Sequence, residues 1–201
     1  MSLTLRQRFL NLPNYITVGR LCAVPLLMLV MLFMNDHSLA QHRNQVLSAV
    51  AAIVFVLAMV SDIIDGYYAR KRNIISTFGQ FFDPLADKLL FLVAMIFMVQ
   101  LERMPAWIVC VFLGREVIVT ALRGVAIDEG IIIAASRWGK FKSALVSTTS
   151  VALLLHYPFF GIQWRLIGWV FIWPALVASI ASGVHYTVGF IQELRKRAKL
   201  I

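Results

Sequence analysis

Four of the ten acidic residues in this chain of 201, Asp62, Asp65, Asp83 and Asp87, fall within 26 positions. The members of the first pair are three apart and those of the second four apart, so each pair shares one helical face. A carboxylate inside a membrane span costs about 3 kcal/mol on insertion scales, and four of them together demand neutralising partners. Converging carboxylates cannot all stay ionised without cations. An all-oxygen donor set suits Mg²⁺ or Mn²⁺ rather than a soft metal, and two divalent ions balance four negative charges. A two-metal site with open positions can hold a pyrophosphate and stabilise in-line displacement at phosphorus. The small residues Gly66, Ala69 and Gly79 stand on the same stretch, where a missing side chain allows close approach. Arg70, two turns from Asp62, can reach a phosphate.

The elements that carry these residues follow from composition. With 60% hydrophobic and 14% charged residues and a mean hydropathy of +0.80, the chain reads as a membrane protein rather than a soluble enzyme, a disordered segment or a disulfide scaffold. Six apolar runs are long enough to span: Tyr15 to Met34, Val46 to Tyr68, Leu85 to Leu101, Pro105 to Ile127, Phe141 to Tyr157 and Leu166 to Phe190. They are continuous rather than alternating, which excludes a barrel. The expectation is an all-α integral membrane protein of six transmembrane helices, one domain over residues 1–201. The opening segment 1–13 mixes Leu3, Leu5, Phe9 and Leu10 with Arg6 and Arg8 and is expected to be an interfacial helix. Cys22 and Cys110 lie in apolar runs without ligand-like spacing and are expected to be buried free thiols.

The net charge of +9 acquires meaning only once placed relative to the spans. Twelve bases (Arg6, Arg8, Arg70, Lys71, Arg72, Arg137, Lys140, Lys142, Arg195, Lys196, Arg197 and Lys199) fall at one end of the bundle, against Arg43, Arg103 and Arg165 at the other. The bias puts both termini and the aspartates on the cytoplasmic side of the inner membrane, and it explains the basicity without a nucleic-acid partner. The C-terminal run reads as an orientation signal and a contact for anionic lipid. Two other readings of the aspartates are weaker. Salt bridges to Arg70, Lys71, Arg72 and Lys88 do not need two regularly spaced pairs, and a transport pathway would need a polar relay to the opposite face.

The stretch Asp62-Ile-Ile-Asp65-Gly66-Tyr-Tyr-Ala69-Arg70, then eight residues, then Gly79-Gln-Phe-Phe-Asp83-Pro-Leu-Ala-Asp87 resembles the signature of the CDP-alcohol phosphotransferases, with all eight fixed residues present. The resemblance implies a six-helix membrane enzyme, usually a homodimer, that moves a phosphatidyl or similar group from a CDP-linked donor to an alcohol and releases CMP. It implies that Asp62, Asp65, Asp83 and Asp87 bind two metals, with Asp87 also the general base. Asn14, Thr17, Asp65, Gly66, Ala69, Arg70 and Gly79 fall on the donor side. The aspartate-rich prenyltransferases match less well, being longer and carrying their two motifs far apart.

The acceptor half of the site should hold the remaining intramembrane cations. Arg115-Glu116 stands in the middle of the fourth span, with Arg123 two turns on, while Arg137, Lys140 and Lys142 open the fifth. A mid-membrane arginine is costly enough to suggest function, although an ion pair between Arg115 and a carboxylate such as Glu116 would also account for it. Together these bases offer several donors to a dianion, which an uncharged acceptor would not need. Most of the chain also resembles the branch of the family that joins CDP-diacylglycerol to glycerol 3-phosphate. The resemblance runs through Asn11-Leu-Pro13-Asn14-Tyr-Ile-Thr17, Arg20, Pro25, Pro105-Ala-Trp107, Arg115-Glu116, Arg123 and Gly139-Lys140-Phe-Lys142. It departs after Lys142, where Ser143 replaces the branch's Thr and Val146, Ser147 and Thr148 stand where a Gln is usual. In the last span, Gly183, His185 and Gly189 are expected to serve packing.

Overall fold

The computed structural model describes the backbone of residues 12–34, 41–72, 77–130 and 137–198, and the side chains of 18–34, 41–61, 85–130 and 141–197. The described residues form six helices: α1 (Leu12–Leu32), α2 (Gln41–Arg72), α3 (Thr77–Gln100), α4 (Ala106–Asp128), α5 (Arg137–Leu155) and α6 (Trp164–Ala198). A hairpin of β1 (Pro158–Phe159) and β2 (Ile162–Gln163) joins α5 to α6. The architecture is all-helical, one helix per apolar run. The interfacial segment expected over 1–13 lies outside the described residues except for its last two, which begin α1. Pro13 is tolerated there because a first-turn N–H has no intrahelical partner to lose. Arg70, Lys71 and Arg72, just past the apolar run Val46 to Tyr68, close α2. Both residue types are good helix formers, and their charge suits the negative end of the macrodipole.

Among the described residues two helical stretches, Gln41–Ser61 and Trp164–Arg197, are long and apolar enough to cross a membrane. At about 1.5 Å per residue α2 and α6 each reach about 50 Å, more than the hydrocarbon thickness, so their polar ends extend beyond it. Within the bundle α1 packs against both α2 and α3, α5 lies along α6, and α6 also meets α4. Alanines line the interior: Ala51, Ala52, Ala58, Ala86, Ala94, Ala175 and Ala178 are all buried. Small side chains let backbones approach where apolar lipid gives no hydrophobic drive for association. Gly168 is the closest case, since a Cβ there would stand 2.5 Å from Leu153 Cδ2. Larger side chains such as Phe55, Met98, Ile108 and Leu153 fill the rest of the core, while others, among them Leu29, Phe33, Ile53, Leu57, Val117, Val170 and Val177, are exposed.

Cys22 and Cys110 are free but exposed, which corrects the expectation of buried thiols. An apolar helix in a bilayer is apolar on its outer face too, so a hydrophobic neighbourhood in the sequence does not imply the core.

The end of the bundle away from the aspartates is closed by one arginine. Helix α3 finishes with the N–H of Arg103 donating to the carbonyl of Met98 (2.9 Å) and that of Glu102 to Val99 (3.0 Å), the Schellman pairing, with Glu102 at φ +55° in the position usually given to glycine. The turn sends Arg103, 1% exposed, under the bundle. There Nη1 donates to the carbonyl of Leu154 at 2.8 Å and Nη2 to Ser48 Oγ at 2.9 Å, and the guanidinium lies over the Tyr157 ring. A residue counted in the sequence only as a charge on the sparse side therefore caps the last carbonyls of α5 and ties it to α2. Arg197 does similar work at the other end: Nη1 and Nη2 donate to the carbonyls of Glu129 (2.6 Å) and Gly130 (2.9 Å), just past α4. Two members of the C-terminal basic run thus have partners within the chain, since Lys196 Nζ also donates to Glu193 Oε2 at 3.4 Å.

Candidate active site

Asp62 and Asp65 lie on α2, and Asp83 and Asp87 on α3. The two helices touch where Phe55 and Phe91 meet edge to face, with ring centroids 5.1 Å apart. Phe55 is 17 residues before the end of α2 and Phe91 is 14 after the start of α3, the near-equal offsets of antiparallel neighbours. Measured from that contact at about 1.5 Å per residue, Asp87 and Asp83 stand about 6 and 12 Å along α3, and Asp62 and Asp65 about 10 and 15 Å along α2, both toward the 73–76 connection. The side chains of Asp62, Asp65 and Asp83, and those of Asn14, Thr17, Ala69 and Arg70 with Gly66 and Gly79, lie outside the described residues.

Asp87 is described, and its partner comes from α1. Arg20 Nη1 donates to Asp87 Oδ1 at 3.1 Å, with the arginine side chain fully buried and the aspartate 38% exposed. A carboxylate held by a buried cation yet still open to its surroundings is a hard oxygen donor that fits a divalent ion. It is also fixed in orientation by the guanidinium behind it. The sequence contained a signal for this: an arginine inside the first apolar run is as costly as Arg115 inside the fourth, and Arg20 could have been singled out on the same ground.

The next residue along α3 is Lys88, whose Nζ donates to Thr120 Oγ1 of α4 at 2.8 Å.

The structure gathers part of the expected acceptor site. Arg115 Nη1 donates to Glu116 Oε2 (2.9 Å), and Lys142 Nζ from α5 donates to the same oxygen (3.1 Å). The ion pair that the sequence allowed is present: Arg115 pairs with Glu116, its neighbour on α4, and Lys142 shares the same oxygen. Arg115 Nη2 donates to Ser182 Oγ of α6 at 2.7 Å. The guanidinium of Arg123 lies over the Tyr186 ring of α6, 6.0 Å from its centroid. The side chains of Arg137 and Lys140 lie outside the described residues, although both residues fall in the first turn of α5. Gly183, expected only to pack, abuts Arg115, as a Cβ there would meet Arg115 Cγ at 2.9 Å. Residues of α6 facing the site were not legible as functional, because Ser and Gly in an apolar helix are ordinary packing residues.

The described residues thus place a half-open carboxylate held by an arginine on α3, and a separate cluster of Arg115, Lys142 and Glu116 on α4 and α5. The model of the CDP-alcohol phosphatidyltransferase family matches residues 10–181, and the chain belongs to that family. Its relatives include a CDP-diacylglycerol–glycerol-3-phosphate 3-phosphatidyltransferase of Bacillus subtilis, 39% identical over 183 residues, covering 88% of this chain and 93% of the relative. Proteins of the same description from Pseudomonas fluorescens (34% identical, 88% of each chain) and Rickettsia typhi (33% identical, 88% of this chain and 94% of the relative) are also similar to it. With this membership and its two long apolar helices, the chain is a membrane protein.

Proposed function

We propose that the protein transfers the phosphatidyl group of CDP-diacylglycerol to glycerol 3-phosphate, giving phosphatidylglycerophosphate and CMP in phospholipid synthesis. The observation that carries the proposal is the buried Arg20 holding the carboxylate of Asp87, the last residue of an eight-residue signature, in a chain matching the family over 10–181. The printed descriptions of the relatives support the acceptor.

In this reading Asp62, Asp65, Asp83 and Asp87 hold two divalent ions, Mg²⁺ or Mn²⁺, which when bound supply charge neutralisation at the donor diphosphate. Arg70 binds the same diphosphate, and Asn14, Thr17, Gly66, Ala69 and Gly79 border the cytidine and its phosphates. Asp87 accepts the proton of the acceptor's primary hydroxyl, and Arg20 keeps its carboxylate aimed. The hydroxyl oxygen bonds to the β-phosphorus as the bond from that phosphorus to the CMP oxygen breaks. Arg115 and Lys142, with Arg123, Arg137 and Lys140, receive the acceptor's phosphate. The chain forms one domain of six spans and works as a homodimer in the inner membrane. Both termini and the site face the cytoplasm, where a water-soluble acceptor is met, while the diacyl tails stay in the bilayer.

The test is CMP release by the purified chain in detergent with CDP-diacylglycerol and Mg²⁺. Release should require glycerol 3-phosphate, with plain glycerol poor, because the cationic cluster would then be left without its dianion. Faster release with serine or inositol phosphate would move the protein to another branch. Ion or solute flux without CMP formation from any acceptor would replace the enzyme reading by a transporter.

A further inference from the structure

Arg115 is held from two sides in a way that phosphate binding alone does not require. Its stem lies against α6 where Gly183 has no side chain: a Cβ would stand 2.9 Å from Cγ and 3.7 Å from Nε. The preceding residue, Ser182, is 4% exposed and accepts from Nη2 at 2.7 Å, while Nη1 is engaged by Glu116 at 2.9 Å. Nε is buried and, among the described residues, has no acceptor. A guanidinium is planar, so fixing both outer nitrogens fixes the plane. With one contact to α4 and one to α6, that plane depends on the register between the two helices.

We infer that the Ser182–Gly183 step of α6 positions Arg115 for recognition of the acceptor's phosphate, which makes the last helix a specificity-determining part of the site. The inference rests on the reading of Arg115 as a phosphate ligand. Gly183 sets how deep the stem sits, and the Ser182 hydroxyl sets the rotation of the guanidinium about it. Neither residue touches substrate, and both act through Arg115. Glu116 completes the arrangement by holding Lys142 beside it, so the phosphate meets two cations whose spacing is already set.

The experiment measures KM for glycerol 3-phosphate and for CDP-diacylglycerol in purified Ser182→Ala, Ser182→Thr and Gly183→Ala, alone and combined with Arg115→Gln, which keeps a stem against α6. Ser182→Ala and Gly183→Ala should each raise KM for glycerol 3-phosphate about tenfold, the scale of one hydrogen bond to a charged group. KM for CDP-diacylglycerol should stay within about twofold, and Ser182→Thr, which restores a hydroxyl, should recover most of the loss. In the Arg115→Gln background neither change should add to the effect, because residues acting through Arg115 have nothing left to act through. Equal loss for both substrates, additive loss in that background, or no loss in the single variants would overturn the inference while leaving Arg115 as a ligand. If Arg115→Gln alone leaves KM for glycerol 3-phosphate unchanged, the reading beneath it fails instead.

Discussion

Arg20 and Arg103 are each 1% exposed, the two largest fully buried side chains described, and they do opposite things. Arg103 donates to neutral groups, the carbonyl of Leu154 and the hydroxyl of Ser48, and lies against the face of Tyr157. Arg20 meets a carboxylate, and that carboxylate keeps more than a third of its surface open. A cation wrapped in neutral acceptors adds no reactive group, and its removal loosens helices. A cation behind a half-open carboxylate fixes the orientation of a group that can bind a metal or take a proton. Burial of an arginine is thus not by itself a sign of function; the charge and exposure of its partner decide.

Variants at the two ends should separate accordingly. The largest effect belongs to the aspartates: Asn at Asp62, Asp65, Asp83 or Asp87 should lower CMP release by about a thousandfold or more while the protein still purifies as a folded species, since charge is lost and size kept. Near-normal turnover in two of the four would break the two-metal site. Next comes Arg103→Met, which should destabilise the chain by about 3 kcal/mol, read as a fall in Tm in detergent, because buried acceptors lose a charged donor. Turnover per folded molecule should hold, and a loss of turnover without a fall in Tm would erase the contrast drawn here. Arg20→Met should reverse the pattern, with kcat down about a hundredfold and a smaller change in Tm, about the cost of losing a hydrogen-bonded orienter. Smallest is Ser48→Ala, expected to cost about 1 kcal/mol and no activity. A silent Ser48→Ala would show that the carbonyls of α5 alone anchor Arg103.

Much of this was legible beforehand, for physical reasons. Six apolar runs gave six helices because a bilayer leaves few alternatives for a continuous apolar stretch. The aspartates stood out because their charge conflicts with their surroundings, and Arg115 and Lys142 for the same reason. Long-range pairing was not legible. Nothing in the order of residues says that Arg20 lies beside Asp87, 67 positions away, or that Ser182 accepts from Arg115, also 67 away. Arg103 was read by side of membrane alone, since counting loop charges ignores where a turn directs them. The two cysteines were misplaced because the apolar inside and the apolar outside of a membrane helix look alike in sequence.

Those cysteines offer the spectroscopist something the rest of the molecule does not. Cys22 follows Arg20 by two residues on α1, and Cys110 precedes Arg115 by five on α4, so one thiol lies near each half of the site while both are exposed on the outer surface. A nitroxide or fluorophore attached to either reaches outward from the bundle and leaves the buried hydrogen bonds in place. The unaltered chain therefore carries a pair of native reporters, with no other cysteine to remove. The distance between them follows any movement of the donor half against the acceptor half, and their quenching by lipid-borne probes gives the depth of each.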